Sequence, residues 1–268
     1  MSALDAQQLA SLALQVARQA GAHALSGFRK PMRVVHKGAI DLVTDFDTTT
    51  EHIVREALTR LTADIPVMAE EEGGSEAGER IWYVDPIDGT TNYAHGHPFW
   101  CVSIGLMQAG QPVAGAVVAP ALQIEWVGWH HGTASRNAEP CAVSKQLLLS
   151  EALLATGFPY DRQTSPDNNF GPFVALKRIV QGIRRCGSAA IDLCLVADGT
   201  YDGYWERKLK PWDLTAGTAI VQAAGGRVSA FDGSAPEVRS GNLVATNRRI
   251  HAALLEALRC ARQELPPK

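Results

Sequence analysis

A short apolar run, Ile81-Trp82-Tyr83-Val84, empties into Asp85-Pro86-Ile87-Asp88-Gly89-Thr90-Thr91-Asn92. The run predicts a compact buried strand. The proline predicts its end, because proline cannot donate to a ladder. Two aspartates flank a turn that Pro86 restricts, so both side chains and a backbone carbonyl can converge on one point. Gly89 permits a tight turn, and Thr90 and Thr91 then open a helix or helical turn with free N–H groups and hydroxyls. Hard oxygen ligands at a strand end suit Mg²⁺. A helix N-terminus suits phosphate. Placed side by side, they point to phosphoryl chemistry.

Carboxylates gather at element ends in three further places: Asp47, the pair Glu70-Glu71, and Asp213. Taken singly, each has a plainer reading. Asp47 and Asp213 can cap the helices that follow them, and Glu70 to Glu72 reads as a solvated, flexible acidic loop. The surrounding pattern places them. A first helix carries Leu9, Leu12, Val16 and Ala20 on one face, weakened at its end by Gly21 and Gly27. A second starts near Asp47, with Glu51 as an acid favoured by the helix dipole. Phe99–Met107, Val113–Pro120 and Gln123–Trp129 read as an antiparallel meander. From Ala152 onward strands and helices alternate, as in an α/β layer arrangement, and Asp213 precedes a helix from Leu214 to Ala224. The small, polar stretch from Gly132 to Pro140 marks a boundary, giving an N-terminal α+β half, residues 1–135, and a C-terminal α/β half, residues 136–268.

Composition narrows the function classes. Hydrophobic residues make up 46% of the 268 and charged residues 20%, enough for a sizeable core without staples. The formal charge of −3 argues against a generally basic nucleic-acid binder. No apolar run reaches the roughly 18 residues that a bilayer span needs. The N-terminus carries Asp5 early and no basic n-region, so a secretory signal is not expected. Five cysteines form no CxxC pair and read as reduced thiols in a cytoplasmic protein.

Asp41-Leu42-Val43-Thr44-Asp45-Phe46-Asp47, Glu70-Glu71, the stretch from Trp82 through Asp85-Pro86-Ile87-Asp88-Gly89-Thr90-Thr91-Asn92-Tyr93, and Trp212-Asp213 followed by Ala224-Gly225-Gly226 occur in that order. Together they resemble the inositol monophosphatase family of lithium-sensitive, magnesium-dependent phosphomonoesterases, from the first helix to the last. The resemblance implies a layered αβαβα sandwich with metal at the junction of the halves. It implies that Glu70, Asp85 and the Ile87 carbonyl hold one Mg²⁺, that Asp85, Asp88 and Asp213 hold a second, and that a third, weaker ion lies near Glu70. Asp47 and Thr90 would orient and activate the attacking water, Glu71 would support the metal site, and Gly89, Thr90 and Thr91 would hold phosphate oxygens. Glu206 would bind a substrate hydroxyl, beside Asp88 and the stretch Gly187-Ser188-Ala189-Ala190, of which Gly187 and Ala190 are the named contacts.

These implications lead to an expected activity on myo-inositol monophosphates, with inhibition by Li⁺ and a homodimeric assembly. A carboxylate at Glu206 suits a polyol but also the amine of histidinol phosphate, so histidinol-phosphate phosphatase is the alternative within the class. A regulatory protein-binding role is the alternative outside it, since some relatives associate with the transcription machinery. No contact with a membrane and no direct nucleic-acid binding are expected. The chain departs from the family pattern at Ala69, where glycine is usual, and along Gly132 to Ser144, where Glu139-Pro140-Cys141 replaces the usual turn residues. The lysine expected upstream of the first motif is Lys37, with His36 competing. His95, His97, His130, His131 and Arg184-Arg185 read as structural or solvated residues, and the six tryptophans as core and interface residues.

Overall fold

The computed structural model describes residues 4–36, 38 and 42–263. Lys37 and Asp41 lie outside the described residues. Helix α1, Ala6–Gly27, opens with a capping box in which Asp5 and Gln8 bond each other's backbone N–H. A hairpin of β1, Val34–His36, and β2, Leu42–Thr44, leads into α2, Asp45–Leu61. The helix begins two residues earlier than Asp47 because Thr44 is its cap. Its hydroxyl accepts from the N–H of Asp47, while Asp47 accepts the Thr44 N–H in return. Asp47 is therefore the third helical residue rather than the cap.

Strands β3, Val67–Ala69, and β4, Gly73–Gly74, form one edge of an eight-stranded sheet. Next come β5, Arg80–Asp88; the short α3, Thr90–Ala94; and the meander β6, Cys101–Gln108, β7, Gln111–Ala119, and β8, Ile124–Trp129. The sheet closes on β9, Ala134–Arg136, and β10, Glu139–Cys141. The order is β10-β9-β8-β7-β6-β5-β3-β4, antiparallel throughout except for the β3–β5 pair. The division expected at 135/136 falls inside β9, and this sheet runs on to Cys141. Contrary to expectation, Pro86 does not end β5. The register shifts between Asp85 and Asp88, leaving one extra residue on this strand, and the bulge frees Pro86 from any need to donate.

The second half contributes β11, Leu153–Thr156; α4, Phe170–Lys177; β12, Gly182–Arg184; α5, Ala189–Ala197; β13, Gly203–Glu206; α6, Pro211–Ala223; β14, Arg227–Ser229; β15, Leu243–Thr246; and α7, His251–Gln263. Its five strands form a mixed sheet, β12-β11-β13-β15-β14, with β12, β11 and β13 parallel. Helix α6 starts three residues earlier than its apolar run suggests, because Pro211 serves as its first residue. Asp213 is thus inside the first turn, not ahead of it.

Helices α1 and α2 cover one face of the large sheet, and α5 and α6 cover the other. The five-stranded sheet packs on the far side of α5 and α6, with α4 and α7 outermost. This is the expected αβαβα sandwich. The central core is shared by both halves, joining Ile81, Tyr83 and Val117 to Leu193, Leu214 and Ile220. Close packing of α6 demands small residues: a Cβ at Gly115 of β7 would lie 2.3 Å from the Ala216 carbonyl oxygen. Four tryptophans, Trp82, Trp100, Trp126 and Trp205, are fully buried.

Candidate active site

The bulge in β5 sets the site. Ile87 is fully buried among Ala24, Tyr93 and Trp100, and its N–H donates to Asp85 Oδ1 at 3.0 Å. Ile87 packs into this core, while Asp85 and Asp88 meet one another. Asp213 reaches them from the first turn of α6, where its Oδ2 accepts the Lys210 N–H at 2.8 Å. One carboxylate oxygen from each of Asp85, Asp88 and Asp213 lies within 4.8 Å of the others.

Electrostatics at this point is lopsided. Burial pushes Asp85 well above the usual carboxylate range, and the charges of Glu70, Asp88, Asp213 and Asp47 push it further. Asp213 is raised by burial and then by Asp88 and Glu70. The leading charges acting on Asp85 are all carboxylates, Glu70 first. Oxygen donors of this number and charge fit a hard divalent cation such as Mg²⁺. Glu70 belongs to the same neighbourhood: its N–H donates to the Val84 carbonyl, which seats it beside Asp85.

The turn at Glu70–Glu72 is tied to the sheet and to α2 and is not a free loop, while Glu72 itself stays half-exposed. Strands β3 and β4 pair across it, and Glu71 and Glu72 donate their N–H groups to Glu51 at 2.7 and 3.0 Å. Glu51 is itself fully buried, not the surface acid at a helix start that its position suggests. Ala69, the departure from the family pattern, is buried in regular β3 pairing with Val84.

Beside the triad, Asp47 is fully buried. Its Oδ2 accepts from the Thr44 hydroxyl at 2.6 Å and from the Thr44 N–H at 2.8 Å. Thr90 Oγ1 lies 2.9 Å from Asp47 Oδ1 and 3.0 Å from the Ile87 carbonyl, and its single proton serves one acceptor at a time. Burial raises Asp47 to about 6 against the pull of its Thr44 and Thr90 hydrogen bonds; the Glu71 charge adds to the rise. Gly89 caps α3 at φ +97°, a left-handed conformation that a side chain would strain. The first N–H groups of α3, including those of Thr90 and Thr91, have no partner within the helix.

The second half supplies the other wall. Ser188 caps α5, and its hydroxyl donates to Asp88 Oδ2 at 2.6 Å; the Ala190 N–H donates to the same oxygen at 2.7 Å. Burial still raises Asp88. Gly187, at φ +92°, makes the turn into α5. Asn92 ties the halves together, donating to the Phe99 carbonyl at 2.7 Å and to the Cys186 carbonyl at 2.8 Å. Glu206 ends β13 and accepts the Tyr204 hydroxyl. Burial lifts it to about 7, while Tyr204 and Arg185 pull it down. A Cβ at Gly157 would lie 2.0 Å from its carboxylate. Asp192, on α5, is a second buried acid whose charge acts on this group's surroundings, with Oδ1 unpartnered.

Of the residues singled out in the sequence, the structure brings Asp85, Asp88 and Asp213 together and sets Asp47 against Thr90; the contacts of Glu51 and Asn92 and the burial of Asp192 were not foreseen. Ser188 was read only as part of a pocket-lining stretch. Its place before the apolar run of α5 was a cap signal that could have singled it out. His130 and His131 lie against one another with their rings tilted by 50° and centroids 3.7 Å apart. All five cysteines are free. Among the described residues no helix is long and apolar enough to cross a membrane.

Comparison with known proteins agrees with this geometry. The chain is 43% identical to the inositol-1-monophosphatase of Synechocystis sp. over 95% of its own length and 90% of the relative's. It is 37% identical to the Nus factor SuhB of Pseudomonas aeruginosa, covering 97% of this chain and 98% of that one. The solved structure of inositol monophosphatase from Anabaena (Nostoc) sp. PCC 7120 superposes with a TM-score of 0.88 at 40% identity, over 97% of each chain. A model of the inositol monophosphatase family matches residues 5–263, and the chain belongs to that family of phosphatases.

Proposed function

We propose that the protein hydrolyses myo-inositol monophosphate to inositol and phosphate, with Mg²⁺ as cofactor. The observation that carries this reading is the meeting of Asp85, Asp88 and Asp213 within 4.8 Å, with the Asp47–Thr90 pair on one side and Asp88 pinned by α5 on the other. Glu70, Asp85 and the Ile87 carbonyl would hold one Mg²⁺, and Asp85, Asp88 and Asp213 a second, with a third, weaker ion near Glu70 and Glu71 supporting the edge. When bound, these ions supply Lewis-acid stabilisation of phosphoryl and leaving oxygens and lower the pKa of a bound water.

The chain's own residues do the rest. Gly89, Thr90 and Thr91 present N–H groups and hydroxyls to the phosphate oxygens. With its proton directed to Asp47 Oδ1, Thr90 Oγ1 offers its lone pairs to the attacking water. Asp47, raised to about 6, is basic enough to receive the proton relayed through Thr90. Attack proceeds in line, and the ester oxygen leaves on the opposite face. Glu206 accepts a ring hydroxyl, beside Gly187 and Ala190.

A carboxylate held at about 7 meets a neutral hydroxyl as easily ionised as protonated, which supports a polyol. The buried Asp192 beside it supports the second reading, an amine-bearing ester such as histidinol phosphate. We further propose a homodimer, because four exposed apolar side chains, Tyr160, Phe170, Val174 and Ile179, lie on α4 and the segments flanking it. The relatives named Nus factor SuhB favour testing a protein-binding role alongside catalysis.

The test is phosphate release with Mg²⁺ from inositol 1-phosphate, histidinol phosphate, fructose 1,6-bisphosphate and 3′-phosphoadenosine 5′-phosphate, with and without Li⁺. Preference for inositol 1-phosphate, inhibited by Li⁺, is expected. Preference for histidinol phosphate would keep the apparatus and reassign Glu206. No release from any ester would leave the protein-binding role.

A further inference from the structure

Helix α2 carries Asp47, Glu51 and Arg55 at intervals of four residues, hence on one face. Asp47 is in the site. Glu51 and Arg55, one and two turns on, bond to neither the triad nor the phosphate turn. Both Glu51 oxygens are nonetheless committed. Oε2 accepts the Glu71 N–H at 2.7 Å, and Oε1 accepts the Glu72 N–H at 3.0 Å and Arg55 Nη2 at 2.8 Å. Arg55 spreads its guanidinium over the same turn. Nη2 also donates to the Gly73 carbonyl at 2.8 Å, Nη1 reaches the Val67 carbonyl at 3.3 Å, and Nε lies 3.6 Å from Glu72 Oε2. Two side chains of α2 thereby hold the stretch at Val67, on one side of Glu70, and at Glu71, Glu72 and Gly73, on the other.

A buried glutamate is costly unless its charge is paired and its lone pairs are filled. Here both conditions are met by one arginine and two backbone donors. What those donors have in common is the turn that presents Glu70. Three consecutive acids at a two-residue strand edge would otherwise repel one another and splay into water.

We propose that Glu51 and Arg55 form a positioning clamp that holds the Glu70–Glu72 turn against the Asp85–Asp88–Asp213 cluster and thereby sets affinity for Mg²⁺. The clamp rests on the metal-dependent reading above. It acts through Glu70 and touches no substrate, so its loss weakens metal binding while leaving turnover at saturating Mg²⁺ nearly intact.

The experiment is calorimetric titration of Mg²⁺ into the metal-free full-length chain, in wild type, Glu51→Gln and Arg55→Met. Glu56→Gln, on the exposed side of α2, is the control. Amide hydrogen exchange at residues 71 and 72 is followed in parallel. An amide at position 51 retains only one acceptor oxygen for two backbone donors, so about tenfold or more weaker Mg²⁺ binding is expected, as for other groups that orient metal ligands. Exchange at 71 and 72 should quicken, and kcat at saturating Mg²⁺ should stay within about threefold, because no reacting group is lost. If Glu51→Gln fails to fold, Arg55→Met, whose side chain is partly exposed, carries the test. Lower thermal stability with wild-type Mg²⁺ affinity in the folded variants would overturn the clamp and leave the metal reading standing. A wild-type chain that takes up no Mg²⁺ would overturn both.

Discussion

The two walls of the site are built differently. On the metal wall, β5 and the turn after it organise themselves: Asp85 bonds the Ile87 N–H two residues on, and Thr90 bonds the Ile87 carbonyl three residues back. Thr44 and Asp47 form a capping box of their own. On the substrate wall the Tyr204 bond to Glu206 and the Asn92 bond to Phe99 are local, and the other ties are long-range. Asp88 is held by Ser188 and Ala190 about a hundred residues away, Asn92 by Cys186, and Glu206 stands in a space left free by Gly157. Local geometry tolerates changes elsewhere in the chain; a wall made of distant contacts depends on the halves closing. The metal wall should therefore fail abruptly when a ligand is lost, and the substrate wall by degrees.

The largest expected effect tests the joint itself. Asp88→Asn removes a charge that both walls use, and phosphate release should fall on the order of 10³-fold with the far-UV CD spectrum unchanged. An active Asp88→Asn enzyme would dismantle the metal assignment. Ser188→Ala removes the 2.6 Å donor to Asp88 and the cap of α5 together. Roughly tenfold weaker Mg²⁺ activation is expected, with about 1 kcal/mol lost in urea unfolding. An unchanged Mg²⁺ titration would mean that Asp88 needs no help from the second half. Gly157→Ala sharpens the contrast from the substrate side. Its Cβ would meet the Glu206 carboxylate at 2.0 Å, so KM for inositol 1-phosphate should rise about tenfold with kcat largely kept. A fall in kcat alone would place Glu206 in the chemistry.

Two pH effects follow. In the proposed mechanism Asp47 works as a carboxylate, and burial raises it to about 6, so activity should fall as pH drops through that value. A nearby cation favours the charged form and only moves this limb lower; a limb above pH 7 in kcat/KM would assign it to another group. The smallest effect concerns the outer sheet. His251 is buried between Ser229 and Thr246, at 2.9 Å from each, and burial lowers it to about 4, with Arg227 adding to the effect. Its neutral form is the folded one, so stability is complete above the unfolded value of 6.5 and is lost as pH falls toward 4. The loss is roughly 2 kcal/mol after allowance for screening. Urea midpoints of His251→Gln should flatten over that interval; parallel curves for the two proteins would remove His251 as the cause.

Much of the fold was legible in the chain. Strand periods gave the meander, and the acidic element ends pointed to the site. The errors cluster where polar contacts override period. Asp85-Pro86 looked like a strand end because a bulge leaves no trace in hydropathy. Glu70 to Glu72 looked solvated because its partner, Glu51, lies about twenty residues earlier on a helix. Helix α6 began early because Pro211 is as good a first helical residue as it is a strand breaker.

By itself, then, the sequence determined which chemical groups exist and how several sit on their own elements: two aspartates around a proline, and a threonine pair opening a turn. Those relations span four residues or fewer, and backbone sterics and capping settle them without help. Only the tertiary structure decided that Asp213 meets Asp85, that Ser188 holds Asp88, and that Glu51 disappears under the Glu70 turn. The reason is physical: these contacts come from packing two sheets around α5 and α6, which no single segment encodes, and that packing gathers separate acids into one candidate metal cluster.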